Sequence, residues 1–122
     1  LAAIEAPDPV VAHVAGRLAA ADAPPIGELA RDTGFTRQYL GRLFRDHVGI
    51  SPKQLARVAR LQRAMSSLLA GGEPAGVAAS AGYFDQAHMI RDFHDLVGLT
   101  PSAACAAEPG SIRPIRSLYR AA

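Results

Sequence analysis

The feature that most limits what this chain can fold into is an internal repeat. Displacing the sequence by 49 residues sets Arg42 on Arg91, Phe44 on Phe93, Asp46 on Asp95, Val48 on Val97, Gly49 on Gly98 and Pro52 on Pro101. Ile50 and Ser51 then face the similar Leu99 and Thr100. The turn glycines Gly34 and Gly82 align at a displacement of 48, so the second copy carries one extra residue just after its turn. Identities falling on residues that start and stop helices mark a duplicated supersecondary unit. The 122 residues are the length of one domain, or of two very small ones sharing a core.

Each copy is helical. Apolar residues recur at helical spacing almost throughout, with no sustained period-2 alternation. Asp8-Pro9 is a cap followed by proline at the first helical position, opening a helix that turns Val10, Val14 and Leu18 inward. Pro24-Pro25 starts a second helix through Ile26, Leu29 and Ala30, and Gly34 permits the positive φ of a tight turn. Thr36 caps a third, with Leu40, Leu43, Phe44 and Val48 as its apolar face. Ser51-Pro52 begins the longest helix, which Gly71-Gly72 stops. Glu73-Pro74, Asp85 and Thr100-Pro101 begin three more, separated by Gly82 and Gly98. The fold class is all-α with about seven helices. Short helix, glycine turn and capped longer helix, occurring twice, make two helix-turn-helix subdomains joined by a long linker helix. The expected boundaries are 1–50 and 72–106 for the subdomains, 51–71 for the linker and 107–122 for a loose basic tail.

Composition excludes several classes. Hydrophobic residues at 49% and charged residues at 20% are ordinary for a globular chain and unlike disorder. No stretch approaches the ~18–20 apolar residues of a membrane span, and no signal peptide opens the sequence. The single cysteine, Cys105, rules out a disulfide framework and a cysteine-rich zinc site. His13, His47, His88 and His94 lack ligand spacing, so no metal is expected. No phosphate loop, nucleophile elbow or paired-carboxylate arrangement is present, so neither an enzyme nor a cofactor is expected.

The formal net charge is only +2, but it is segregated. Residues 1–30 set Arg17 against Glu5, Asp8, Asp22 and Glu28, a net −3. Residues 31–63 set Arg31, Arg37, Arg42, Arg45, Lys53, Arg57, Arg60 and Arg63 against Asp32 and Asp46, a net +6. Residues 64–108 set Arg91 against Glu73, Asp85, Asp92, Asp95 and Glu108, a net −4, and Arg113, Arg116 and Arg120 follow. The +6 block covers the first candidate recognition helix and half the linker, and is a candidate electrostatic footprint for nucleic acid. A linker helix over 51–70 would be ~30 Å long, close to the ~34–36 Å between successive major-groove faces on one side of B-DNA. The reading from another class is a helical protein-interaction module that binds no DNA.

The segment from Ala81 to Phe93, Ala-Gly-Tyr-Phe-Asp-Gln-Ala-His-Met-Ile-Arg-Asp-Phe, followed by Gly98-Leu99-Thr100-Pro101, resembles the signature of AraC/XylS-type transcription regulators. Leu29-Ala30, Gly34-Phe35-Thr36, Leu40, Arg42, Phe44 and Gly49 to Pro52 are similar to that family's upstream copy, and Arg60-Leu61, Ala64 and Leu68-Leu69 to its linker helix. The resemblance covers residues 8 to about 105. It implies a monomeric bacterial, cytoplasmic module that binds double-stranded promoter DNA, with RNA polymerase as a further partner. It also implies a separate effector-sensing or dimerisation domain, this chain being the C-terminal piece of a longer regulator.

Roles follow from groove geometry and that resemblance. Arg37, Gln38, Gly41 and Arg42 project from one face of the first recognition helix, with Gln38 and Arg42 at the family's base-contacting positions. Arginine grips guanine and glutamine pairs with adenine in the major groove. Arg37 and Arg45 are equally suited to phosphate contacts. Gly41 allows close approach but reads nothing. In the second unit the corresponding positions are Gln86, Ala87, Ile90 and Arg91: Gln86 the best base reader, Ala87 and Ile90 suited to a thymine methyl, Arg91 either a DNA contact or an internal brace. Phe35, Phe44, Tyr83 and Phe93 are read as core. The acidic second half should repel phosphates, so the first unit and linker are expected to dominate affinity. Helix N-termini at Ser51 and Thr100 remain able to donate N–H groups to phosphate.

Overall fold

The computed structural model describes residues 8–107, and the expected basic tail lies outside the described residues apart from Ala107. Seven α-helices and no strand occur among the described residues: α1 (Pro9–Ala19), α2 (Ile26–Thr33), α3 (Arg37–His47), α4 (Pro52–Leu69), α5 (Pro74–Ala81), α6 (Gln86–Val97) and α7 (Pro101–Ala106). Their starts follow cap chemistry. The Asp8 carboxylate accepts from the backbone N–H groups of Val10 and Val11, and the Thr100 hydroxyl accepts from that of Ala103. Ser51 and Gln54 form a reciprocal capping box, each side chain accepting from the other's backbone N–H at 3.1 and 3.0 Å. Ser51 is therefore the cap of α4, whose 18 residues give a length of ~27 Å.

The chain divides into two compact units, the first ending at Ala56 and the second beginning at Arg57, within α4. The first unit buries Val11, Val14 and Leu18 of α1 with Leu29 and Ala30 of α2 and Leu40 and Phe44 of α3, flanked by half-buried Leu55 and Ala56. The second unit buries Leu61 and Ala64 of α4, Val77, Ala78 and Ala81 of α5, Tyr83, Met89, Phe93, Leu96 and Val97 from the α6 region, and Ala104 of α7. Phe44 and Phe93, paired by the repeat, are both fully buried.

Two core expectations need correction. Val48 is 40% exposed because it is the C-cap residue of α3, beyond the last turn that the buried stripe can hold. Phe35 is 37% exposed; it lies outside the first core with its ring 4.7 Å from that of Tyr39.

Candidate nucleic-acid interface

The turn before α3 is built by Gly34, at φ 79°, a conformation that side chains with a Cβ disfavour. The Phe35 N–H then donates to the Ala30 carbonyl at 3.2 Å, and the Thr36 hydroxyl accepts from the Tyr39 N–H at 3.1 Å. The helix so started turns Leu40 and Phe44 inward, which leaves Arg37, Gln38, Arg42 and Arg45 exposed and Gly41 half-buried on the opposite side. A Cβ placed on Gly41 would meet nothing within 4 Å. The guanidinium of Arg42 lies 5.8 Å from the centre of the Tyr39 ring, and that of Arg37 lies over Gly27 of α2, where an added Cβ would come within 2.7 Å of Nη2.

The second unit repeats this arrangement. Gly82, at φ 101°, makes the turn, and the Tyr83 N–H donates to the Ala78 carbonyl at 2.9 Å. Asp85 caps α6 by accepting from the His88 N–H at 2.8 Å, while His88 Nδ1 accepts from the Phe84 N–H at 3.1 Å. Met89, Asp92, Phe93 and Leu96 face inward, and Gln86, Ala87, Ile90, Arg91 and His94 face outward. Positions 86, 87, 90, 91 and 94 are positions 37, 38, 41, 42 and 45 displaced by 49, so the outward faces of α3 and α6 correspond residue for residue. His94, the counterpart of Arg45, was not among the residues singled out from sequence, although the repeat itself points to it.

Arg91 makes no hydrogen bond or ion pair among the described residues. The internal brace is instead its neighbour Asp92, whose side chain is 6% exposed. One Asp92 oxygen accepts from Arg57 Nε and Nη2 at 3.0 and 2.6 Å, and Asp95 lies 3.8 Å from the same guanidinium. Around this pair, Arg60 sits 5.3 Å from the centre of the Tyr83 ring, and Arg63 donates to the Ala81 carbonyl at 2.9 Å. Burial, reinforced by the negative charge of Asp92, pushes the Tyr83 phenol well above its ordinary value.

These contacts revise the electrostatic footprint. Arg57, Arg60 and Arg63 are half-buried and engaged within the second unit, whereas Arg31, Arg37, Arg42, Arg45 and Lys53 are exposed. The +6 block therefore overstates the freely presented charge, because the linker arginines serve the second core. Among the described residues no helix is long and apolar enough to cross a membrane.

A family model described as "Helix-turn-helix domain" matches residues 11–106. Among solved structures, the chain is similar to the C-terminal domain of AraT, a response regulator from Geobacillus stearothermophilus, at TM-score 0.74 and 21% identity over 85% of this chain and 89% of that one. It is similar to a probable AraC family transcriptional regulator from Rhodopseudomonas palustris, at TM-score 0.68 and 28% identity over 81% and 96% of the two chains. A DNA-binding transcriptional dual regulator from Escherichia coli aligns at TM-score 0.61 and 23% identity over 76% and 95%. No curated protein matches the chain significantly. The duplicated turn-and-helix units and the family match over residues 11–106 lead to one conclusion: the chain belongs to the AraC-type helix-turn-helix family and is a DNA-binding domain of transcription regulation.

Proposed function

We propose that α3 and α6 are recognition helices that enter successive major grooves of promoter DNA, with the first unit supplying most of the affinity. The observation that carries this reading is the matched pair of outward faces, identical in spacing and unequal in charge. The α3 face presents Arg37, Gln38, Arg42 and Arg45, with Gly41 admitting the groove edge closely. The α6 face presents Gln86, Ala87, Ile90 and Arg91. In this scheme Arg42 reads guanine, Gln38 and Gln86 read adenine, and Arg37 and Arg45 hold phosphates. The subdomain boundaries 1–50 and 72–106, with 51–71 between them, belong to the same proposal. So does the place of this module in a longer cytoplasmic regulator with an effector-sensing or dimerisation domain and with RNA polymerase as a partner. The AraT neighbour, itself the C-terminal domain of a response regulator, supports that placing.

Binding of the wild type, Arg42→Ala and Arg91→Ala to a promoter duplex tests the order of importance. Arg42→Ala is expected to cost about 1–3 kcal/mol, the worth of one bidentate base contact, and Arg91→Ala less. The reverse order would refute dominance of the first unit. Salt gives a second test: log affinity should fall by ~0.9 per log unit of salt for each phosphate neutralised. A flat salt response would remove phosphate contacts from the scheme.

A further inference from the structure

Phe84 falls where the second copy is one residue longer than the first, and it is 91% exposed. Leaving the ring in water forgoes the ~1.5–3 kcal/mol that full burial of such a side chain gains. Its backbone is fixed from both sides. Tyr83 before it is buried, with its ring set edge-on to His88 at 5.1 Å; its own N–H donates to His88 Nδ1; and Asp85 after it caps α6. The chain thus holds an aromatic in solvent at the leading end of α6.

The outward positions beside it add no charge. Gln86 and Ala87 are uncharged, and Ile90, on the second turn, is 39% exposed. The exposed charges around α6 include Asp85 and Asp95 against Arg91, a balance that does not attract phosphate. What such a surface complements in a major groove is the one apolar group displayed there, the C5-methyl of thymine.

We propose that Phe84 is an apolar reader of a thymine methyl group, beyond the methyl contacts expected of Ala87 and Ile90, so that the second unit selects its site by methyl contact rather than by charge. This deepens the DNA-binding reading and rests on α6 facing the major groove. It also gives the second unit, whose exposed Glu73, Asp85 and Asp95 outnumber its exposed Arg91, a role that phosphate attraction denies it.

The test uses the full chain and duplexes that the chain itself enriches from a random pool. Each thymine is replaced in turn by deoxyuridine, which removes the methyl and keeps every hydrogen-bonding group, and binding is measured for the wild type and Phe84→Ala. At one or more positions the wild type should lose about fourfold, the equivalent of one buried methyl-sized group. Phe84→Ala should bind the thymine duplex about fourfold more weakly and be indifferent to deoxyuridine at that position. Its thermal melting should match the wild type, since the side chain has no packing role. Wild-type binding insensitive to every deoxyuridine, an undiminished Phe84→Ala, or losses from the two changes that simply add would each overturn the thymine assignment while leaving DNA binding intact. A chain that retains no duplex at low salt would overturn the groove reading and this proposal with it.

Discussion

Arg57→Leu is expected to destabilise the second unit by about 3 kcal/mol, a loss read by urea denaturation. The magnitude follows from where the partner sits. Asp92 is buried on the inner face of α6 beside Met89, Phe93 and Leu96, and Arg57 supplies it with two N–H groups. Breaking a buried pair by removing one partner leaves a carboxylate with no compensating charge, which costs about 3–5 kcal/mol. Partial exposure of Arg57 favours the lower end. Replacing both partners, as in Arg57→Met with Asp92→Leu, should recover most of the stability, because well-packed apolar substitutes for a buried pair are often neutral. A loss below about 1 kcal/mol for Arg57→Leu would mean that the pair behaves like a surface ion pair, weak and screened.

Phe44→Ala is expected to unfold the first unit, and Phe93→Ala the second. Each ring is fully buried at the centre of its own core. Truncating a buried phenylalanine costs about 3–5 kcal/mol, the lost transfer energy plus the cavity left behind. Units this small bury a modest fraction of their surface and hold little stability in reserve. The check is an amide NMR spectrum of each variant, in which dispersion should collapse for one unit and persist for the other. Phe44→Ala should also abolish tight binding, since α3 loses the packing that orients Gln38 and Arg42. Persistence of both sets of resonances would show that the two rings are less central than their burial implies.

Helix limits and outward faces are legible in the sequence, and the partners of the linker arginines are not. The caps Asp8, Thr36, Asp85 and Thr100 and the glycines Gly34, Gly82 and Gly98 set helix limits by local hydrogen bonding and backbone conformation, and both act within a few residues. The outward faces were equally readable, because the inward stripe of Leu40 and Phe44 fixes the opposite side of α3. The linker arginines look free in the sequence for a physical reason. Helical spacing shows that Arg57 and Arg60 share a side of α4 but carries no information on what that side meets. Here it meets Asp92 and Tyr83, 35 and 23 residues further along the chain. Asp92 itself left a usable signal, since positions 89, 92, 93 and 96 form one stripe and a carboxylate within an apolar stripe requires a cation. Phe35 and Phe84 left none, because an aromatic beside a turn reads the same whether it faces the core or the solvent.

Gly41 and Ile90 occupy the same place on the two copies, and the space above Gly41 is open. A side chain added there extends outward without displacing a neighbour, and removing a mid-helix glycine strengthens α3 by up to ~1 kcal/mol. Atoms added at Gly41 therefore change what the α3 face presents, with the scaffold beneath unchanged. The duplication leaves the chain with two outward faces that can change separately, one rich in charge and the other in apolar surface.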